Sequence, residues 1–136
     1  MMEEPSGGEP MSVRLCIVVV EDQPDAREML RLLLEMGGHE VFEAEDGGAA
    51  VELIGDRRPH VALIDIGLPT IDGYEVARRI RGEPEREGIV LVALTGSGDR
   101  EDVAAALDAG FDRHLTKPTD PAVLESLLVE VGRSIA

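Results

Sequence analysis

The sequence predicts an α/β fold in which a five-stranded parallel sheet carries helices on both faces. Short apolar runs rich in β-branched residues alternate with segments whose apolar residues recur at helical spacing. The length of 136 residues fits one domain with its own core. A single cysteine, Cys16, excludes an internal disulfide. Right-handed crossovers then leave only a few doubly wound topologies.

The chain begins with a segment, residues 1–12, that carries Glu, Pro and Gly and has little to bury. This composition predicts a disordered tail or a linker, followed by a folded domain over residues 13–136. The first strand is expected at 14–20 (RLCIVVV), a nearly continuous apolar run typical of strands buried on both faces. The helix after it, 24–36, has proline in its first turn, an apolar stripe, and Gly-Gly after its last residue.

The rest of the chain repeats this alternation. Short apolar runs predict further strands at 40–44, at 61–64 with Asp65 at the end, at 89–94 and at 113–116. Helical apolar spacing predicts further helices at 48–55, at 73–81, at 99–109 and from Pro121 onward. Asp120 before Pro121 supplies a helix cap and a proline at the first helical position.

Composition argues against several classes of function. The net charge of -15 repels phosphate backbones, so direct nucleic-acid binding is not expected. No apolar segment approaches the ~20 residues that span a bilayer, and the N-terminus lacks a signal-peptide core, so we expect a cytoplasmic protein without membrane contact. No G-x-G-x-x-G follows the first strand, which argues against a dinucleotide-binding domain.

Polar residues follow or end four of the predicted strands. Glu21 and Asp22 follow the first strand, Asp65 ends the third, Thr95 the fourth and Lys117 the fifth. The carboxyl ends of parallel strands share one rim of the sheet, so these groups should converge. Like charges at 4 Å cost about 4 kcal/mol at an effective dielectric of 20, a repulsion that a divalent cation relieves. Oxygen-only ligands favour Mg²⁺.

The predicted cluster suits phosphoryl chemistry. An ionised Asp65 can attack phosphorus without a general base. The metal and Lys117 would neutralise charge on the transferring group, and Thr95 offers a hydroxyl donor. We expect Asp22 and Asp65 to bind the metal directly and Glu21 to bind it through water.

Four segments, VVVEDQPDAREML, LIDIGLPTIDGYE, ALTG and HLTKP, resemble the receiver domain of bacterial two-component response regulators from residue 14 to the C-terminus. The resemblance implies the flavodoxin-like strand order 2-1-3-4-5 and a Mg²⁺ site in which Mn²⁺ can substitute. It also implies phosphoryl transfer to Asp65 from a sensor histidine kinase or a histidine phosphotransfer protein. The chain would then be a switch that changes its partner interactions, without turnover of a separate substrate.

The resemblance also gives each matched residue a role. It makes Asp65 the phosphoacceptor and also a direct metal ligand, together with Asp22 and the backbone carbonyl of Gly67, the third protein ligand. Glu21 is the neighbour of Asp22 in the acidic pair. The resemblance makes Thr95 and Lys117 the switch residues that bind the phosphoryl group. The peptide bond that precedes Pro118 is often cis in this family. His114 replaces the usual Tyr or Phe three residues before the lysine and is the relay candidate. The small residues Gly67 and Ser97 predict a water-accessible site.

Alternative interpretations remain open at this point. A haloacid-dehalogenase-type phosphohydrolase also uses a strand-end Asp and magnesium, but it needs a second acid two residues later, where this chain has Gly67. A receiver that acts only as a phosphorylation-independent interaction module is the other alternative. The domain is expected either to stand alone or to be excised from a hybrid histidine kinase. The resemblance implies that a homodimer would form through the fourth helix, fifth strand and fifth helix.

Overall fold

The computed structural model describes residues 13–96 and 100–135. The predicted tail, Ser97 and the first residue of the helix expected at 99–109 lie outside these ranges. Five parallel strands form one sheet in the order β2-β1-β3-β4-β5, which confirms the predicted fold class and strand order. The strands are β1 (Cys16–Val20), β2 (Glu40–Ala44), β3 (Val61–Asp65), β4 (Val90–Thr95) and β5 (Arg113–Thr116). The helices are α1 (Pro24–Met36), α2 (Gly47–Arg57), α3 (Gly73–Arg81), α4 (Arg100–Ala109) and α5 (Pro121–Ile135), with a short 3-10 turn at Pro84–Arg86.

The two faces of the sheet bury separate apolar cores. Successive side chains of a strand point to opposite faces. Ile17 and Val19 of β1 therefore pack in the core beneath α1 and α5, whereas Val18 and Val20 pack in the core beneath α2, α3 and α4. These four side chains are fully buried. Strands buried on both faces explain why the apolar runs are continuous and do not alternate with polar residues.

Several elements begin or end at residues other than those predicted. β1 begins at Cys16 and not at residue 14, because the Leu15 amide donates to Nδ1 of His39 at 3.1 Å and not to a neighbouring strand. α2 extends over Gly47–Arg57, wider than the predicted 48–55, because the Asp46 side chain caps its first turn at 2.8 Å. A left-handed residue, Arg58, ends it (φ 47°).

The two central strands end at the polar residues that were predicted to end them. β3 ends at Asp65 and β4 at Thr95, while β4 begins at Val90, one residue later than expected. Asp65 pairs in register with Leu94 on β4. The acceptor candidate is therefore fixed by the sheet itself. Within the described ranges, none of the helices is long and apolar enough to cross a bilayer.

Candidate functional site

Three carboxylates converge at the carboxyl rim of the sheet. Glu21 and Asp22 follow β1, and Asp65 ends the adjacent strand β3. One oxygen from each carboxylate lies within 4.8 Å of the other two. Glu21 is fully buried, Asp65 is 7% exposed, and Asp22 is half-buried. Parallel pairing thus brings Asp65 to the adjacent pair Glu21 and Asp22, from which it is distant in the sequence.

Lys117 provides the positive charge that faces these acids. Its Nζ lies 3.0 Å from Asp65 Oδ2, to which it donates a hydrogen bond. It also lies 3.0 Å from Glu21 Oε1, a contact that is an ion pair without hydrogen-bond geometry. Burial lowers the pKa of Lys117, but its contacts with Asp65 and Glu21 outweigh that effect and raise the pKa overall. The ammonium ion is therefore held at the point where two carboxylates meet.

Glu21 is the most enclosed of the three acids. Burial is the main cause that raises its pKa above the ordinary value of 4.5. The Gln23 amide, which donates to Oε2 at 3.0 Å, and the Lys117 ammonium lower that pKa again, while Asp65 raises it further. A carboxylate buried in this way needs a nearby cation.

The segment after Asp65 is held by close backbone packing. The Gly67 amide donates to Asp65 Oδ1 at 2.8 Å. A Cβ on Gly73, the first residue of α3, would lie 2.6 Å from the Asp65 carbonyl oxygen. A Cβ on Gly47 in α2 would lie 2.5 Å from the Ile71 carbonyl oxygen. Two helices therefore press on the loop between β3 and α3, and neither position has room for a side chain.

Thr95 and Lys117 occupy neighbouring positions at the ends of β4 and β5. The Lys117 amide donates to the Thr95 carbonyl at 2.7 Å. The Thr95 side chain is fully buried, and its Oγ1 has no hydrogen-bond partner among the residues that the structure describes. An unpaired buried hydroxyl is unusual, because it loses its bonds to water without replacement. The peptide bond between Lys117 and Pro118 is cis.

His114 lies away from the rim. It is exposed on β5, where it pairs in register with Ala93 of β4. Its side chain lines a cavity of about 480 Å³ that residues of α4 and α5 also line, among them Leu107 and Leu127. The relay candidate thus faces this surface cavity, at a distance from the carboxylates.

One side chain that contacts the site has no counterpart among the sequence predictions. Arg27, on the first turns of α1, donates from Nη1 to the backbone carbonyl of Glu21 at 2.9 Å. At the opposite end of the sheet, Nδ1 atoms of His39 and His60 accept the Leu15 and Cys16 amides at 3.1 and 2.9 Å, and these bonds were not predicted either. Bonds to backbone groups leave no residue-type pattern, so no signal in one sequence reveals them.

The donor set fits a hard divalent cation. Three carboxylates at this spacing present only oxygen ligands, and Mg²⁺ binds through one or two carboxylates while it keeps several waters. No cysteine or histidine belongs to this cluster, which argues against zinc. The half-buried side chain of Asp22 leaves one side of the cluster open to water.

Comparisons with known proteins agree with this geometry. A family model described as response regulator receiver domain matches residues 17–129. The phosphate regulon transcriptional regulatory protein PhoB of Pseudomonas aeruginosa is 37% identical over 117 residues, which are 86% of this chain. The match covers 51% of PhoB, so the chain spans about half the length of that relative.

Two solved structures are similar over most of the chain. The receiver domain of the sensor histidine kinase PA1611 from Pseudomonas aeruginosa, with a magnesium ion coordinated in its active site cleft, has a TM-score of 0.81 and 30% identity. That match covers 88% of this chain and 98% of the other. The receiver domain of Ssk1 from Saccharomyces cerevisiae, in complex with the histidine phosphotransfer signaling protein Ypd1, has a TM-score of 0.85 and 27% identity. It covers 90% and 92% of the two chains.

Proposed function

The chain belongs to the response regulator receiver domain family, and on this premise we propose that Asp65 is its phosphoacceptor. The observation that carries the proposal is the 3.0 Å contact of Lys117 Nζ with Asp65 Oδ2, beside two further carboxylates. A carboxylate at a strand end, next to a fixed cation and other oxygen ligands, is arranged for attack on phosphorus. The family is a signalling switch, and we propose that this chain turns over no separate substrate.

The phosphoryl donor in this proposal is a phosphohistidine of a sensor histidine kinase or a histidine phosphotransfer protein. An Asp65 oxygen bonds to phosphorus while the P–N bond breaks, and the released imidazole nitrogen takes up a proton. In dephosphorylation, a water oxygen bonds to phosphorus and the bond from phosphorus to Asp65 breaks, which returns inorganic phosphate and the carboxylate. Gly67 has no side chain to shield the phosphorus or to act as an acid.

The rim would hold Mg²⁺ or Mn²⁺ through Asp22 and Asp65 directly, the Gly67 carbonyl, and Glu21 through water. When bound, the ion would neutralise charge on the phosphoryl oxygens. Lys117 would contact a phosphoryl oxygen from the side on which it now meets Asp65. The unpaired Oγ1 of Thr95 would gain an acceptor when the phosphoryl group arrives. These two residues would convert the covalent change into a shift of the strand ends.

The proposed output surface is the face made by α4, β5 and α5, with His114 as the relay candidate. Phosphorylation would shift this face between two populations that differ in affinity for a partner, or for a second copy of the chain as a homodimer.

The similar receiver domains of PA1611 and Ssk1 support a histidine kinase or phosphotransfer protein as the upstream partner. We propose that this exchange takes place in the cytoplasm, without direct contact with nucleic acid or membrane. Residues 1–12 would serve as a tail or linker, whether the domain stands alone or comes from a hybrid kinase.

Intact-mass measurement after incubation with acetyl phosphate and Mg²⁺ tests the proposal. The wild type should gain the mass of one phosphoryl group, and Asp65→Asn should gain none. The matched control is Asp108→Asn, an exposed residue of α4, which should label like the wild type. Labelling that survives in Asp65→Asn would overturn the assignment. Steady hydrolysis of small phosphate esters by the wild type would instead favour a phosphohydrolase.

A further inference from the structure

The acidic pair lies on a short loop, Glu21 to Gln23, between β1 and α1. Several hydrogen bonds hold this loop. The Glu21 amide donates to the Ala44 carbonyl at 3.1 Å, and the Gln23 amide donates to Glu21 Oε2 at 3.0 Å. The Arg27 amide donates to the Gln23 carbonyl at 2.9 Å, in the first turn of α1. A side chain from outside the acidic cluster adds a further bond, since Arg27 Nη1 donates to the carbonyl oxygen of Glu21 at 2.9 Å.

The Arg27 guanidinium also faces two carboxylates, at distances typical of loose ion pairs. Its Nε lies 3.9 Å from an oxygen of Glu43, and its Nη2 lies 4.0 Å from an oxygen of Glu45, at and just beyond the end of β2. The side chain is only 19% exposed. A planar guanidinium that faces two carboxylates loses little freedom when it donates a further bond, and an ammonium group has no such geometry.

The carbonyl that Arg27 contacts belongs to the peptide unit between Glu21 and Asp22. Because a peptide unit is planar, the direction of its carbonyl sets the direction in which the chain enters Asp22. Glu21 is fully buried, so its carbonyl would be costly to leave without a donor. The bond from Arg27 therefore fixes the backbone from which the Asp22 carboxylate reaches Asp65.

We propose that Arg27 is a positioning residue that holds the Glu21–Asp22 peptide so that the two acids stay preorganised for a divalent cation. The inference rests on the proposed function, since it concerns the same site. Arg27 acts through the backbone of Glu21 and not as a ligand. Its positive charge is offset by Glu43 and Glu45, which reduces the repulsion that a bound cation would otherwise feel. Groups that orient metal ligands in this way tune metal affinity without touching the metal.

A matched control lies one turn further along α1. Arg31 carries the same charge and shares a partner with Arg27, because its Nε lies 3.5 Å from Glu43. Its other ion pairs are with Glu28 at 3.8 Å and Glu35 at 3.0 Å, both on α1 itself. Replacing either arginine by glutamine removes one positive charge from the same face. Only the replacement at Arg27 removes the bond to the Glu21 carbonyl.

Calorimetric titration with Mg²⁺ alone tests the proposal on wild type, Arg27→Gln, Arg27→Lys and Arg31→Gln. Arg27→Gln should weaken Mg²⁺ binding about tenfold, the lower end of the range for groups that orient metal ligands. Arg31→Gln should bind Mg²⁺ like the wild type. Arg27→Lys should fall between them, because an ammonium can reach the carbonyl but cannot also face both glutamates. Equal affinities for Arg27→Gln and Arg31→Gln would overturn the inference.

A second measurement keeps the positioning role separate from the proposed function. In Mg²⁺-free buffer, the hydrogen-bonded amides of Glu21 and Gln23 should exchange with solvent faster in Arg27→Gln than in Arg31→Gln, since the loop loses an anchor. Unchanged exchange in Arg27→Gln would also overturn the inference. If the wild type fails to bind Mg²⁺, the proposed metal site is wrong, and the exchange rates still decide whether Arg27 holds the loop.

Discussion

The backbone amide of Lys117 donates a 2.7 Å hydrogen bond to the carbonyl of Thr95. The same lysine extends its side chain to Asp65, where Nζ lies 3.0 Å from Oδ2. One residue therefore joins the ends of β3, β4 and β5 at the rim. If the Lys117 side chain moved away from Asp65, the movement would be transmitted through the Lys117 amide to the backbone of Thr95.

Replacing Lys117 by glutamine should destabilise the metal-free protein. The change leaves Glu21, which is fully buried, and Asp65 without their facing cation. Allowing for the partial exposure of Lys117, we expect the free energy of unfolding to fall by about 2 kcal/mol. Under the proposed function, Mg²⁺ should restore much of this loss, because it would bind the same carboxylates in the folded state only. Urea denaturation with and without Mg²⁺ measures both effects.

The control for this prediction is Arg113→Gln, which removes an exposed cation that pairs with Glu130. It should change stability little, with or without Mg²⁺. A loss in Lys117→Gln that Mg²⁺ leaves unchanged would show that lysine and metal do not share ligands. Lys117 is the only lysine in the sequence, so lysine-selective isotope labelling gives one side-chain signal that should shift as Mg²⁺ is added.

Replacing Thr95 by valine should separate stability from switching. The hydroxyl is buried without a partner among the described residues, so its removal should leave the unphosphorylated protein as stable or more stable. Phosphoryl uptake at Asp65 should persist, while the shift of β4 and β5 amide resonances on phosphorylation should shrink. Thr95→Ser, which keeps the hydroxyl, should retain that shift. A marked loss of stability in Thr95→Val would mean that the hydroxyl already has a structural role.

The sequence predicts the rim well because two general rules combine. Apolar runs identify buried parallel strands, and polar residues at strand ends must then meet at one rim. Glu21, Asp22, Asp65, Thr95 and Lys117 all lie where these rules place them. The rules specify the position of each residue at its strand end but not the groups that its side chain contacts. The direct ion pair between Glu21 and Lys117 was therefore not predicted.

Bonds from side chains to backbone groups could not be predicted, either at the rim or at the opposite end of the sheet. Arg27 bonds a carbonyl six residues earlier, and His39 bonds an amide 24 residues away. A backbone group is present at every residue, so a side chain that bonds one leaves no pattern in the sequence. The close contacts of Gly47 and Gly73 depend on how two helices approach one loop, which apolar spacing does not specify.

Replacing Gly73 by alanine should weaken the fold around Asp65. The added Cβ would lie 2.6 Å from both the Asp65 carbonyl oxygen and the Ile66 Cα, so backbone must move. We expect a loss of about 2 kcal/mol in the free energy of unfolding, together with slower phosphoryl uptake. Gly88→Ala is the matched control, since its Cβ would meet nothing within 4 Å. Equal urea midpoints for the two variants would contradict the close packing of α3 on Asp65.

Acid should destabilise the protein through His39, at the end of the sheet opposite the acidic rim. Its Nδ1 accepts the Leu15 amide, and burial, followed by the charge of Arg14, lowers its pKa from the ordinary value of 6.5. As the pH falls, His39 is therefore protonated at a higher pH in the unfolded chain than in the folded protein. The stabilising contribution is complete above pH 6.5 and is lost as the pH falls below that value, toward the lower pKa of the folded state.

Urea denaturation between about pH 8 and about pH 5.5 should show this loss in the wild type, in a range where most carboxylates stay ionised. His39→Leu should be less stable at the upper end, because the Leu15 amide loses its acceptor, and should lack this part of the pH dependence. The control His114→Gln alters an exposed histidine of β5, and this variant should show the same pH dependence of stability as the wild type. If His39→Leu and the wild type lost equal stability over this range, the proton would be taken up elsewhere.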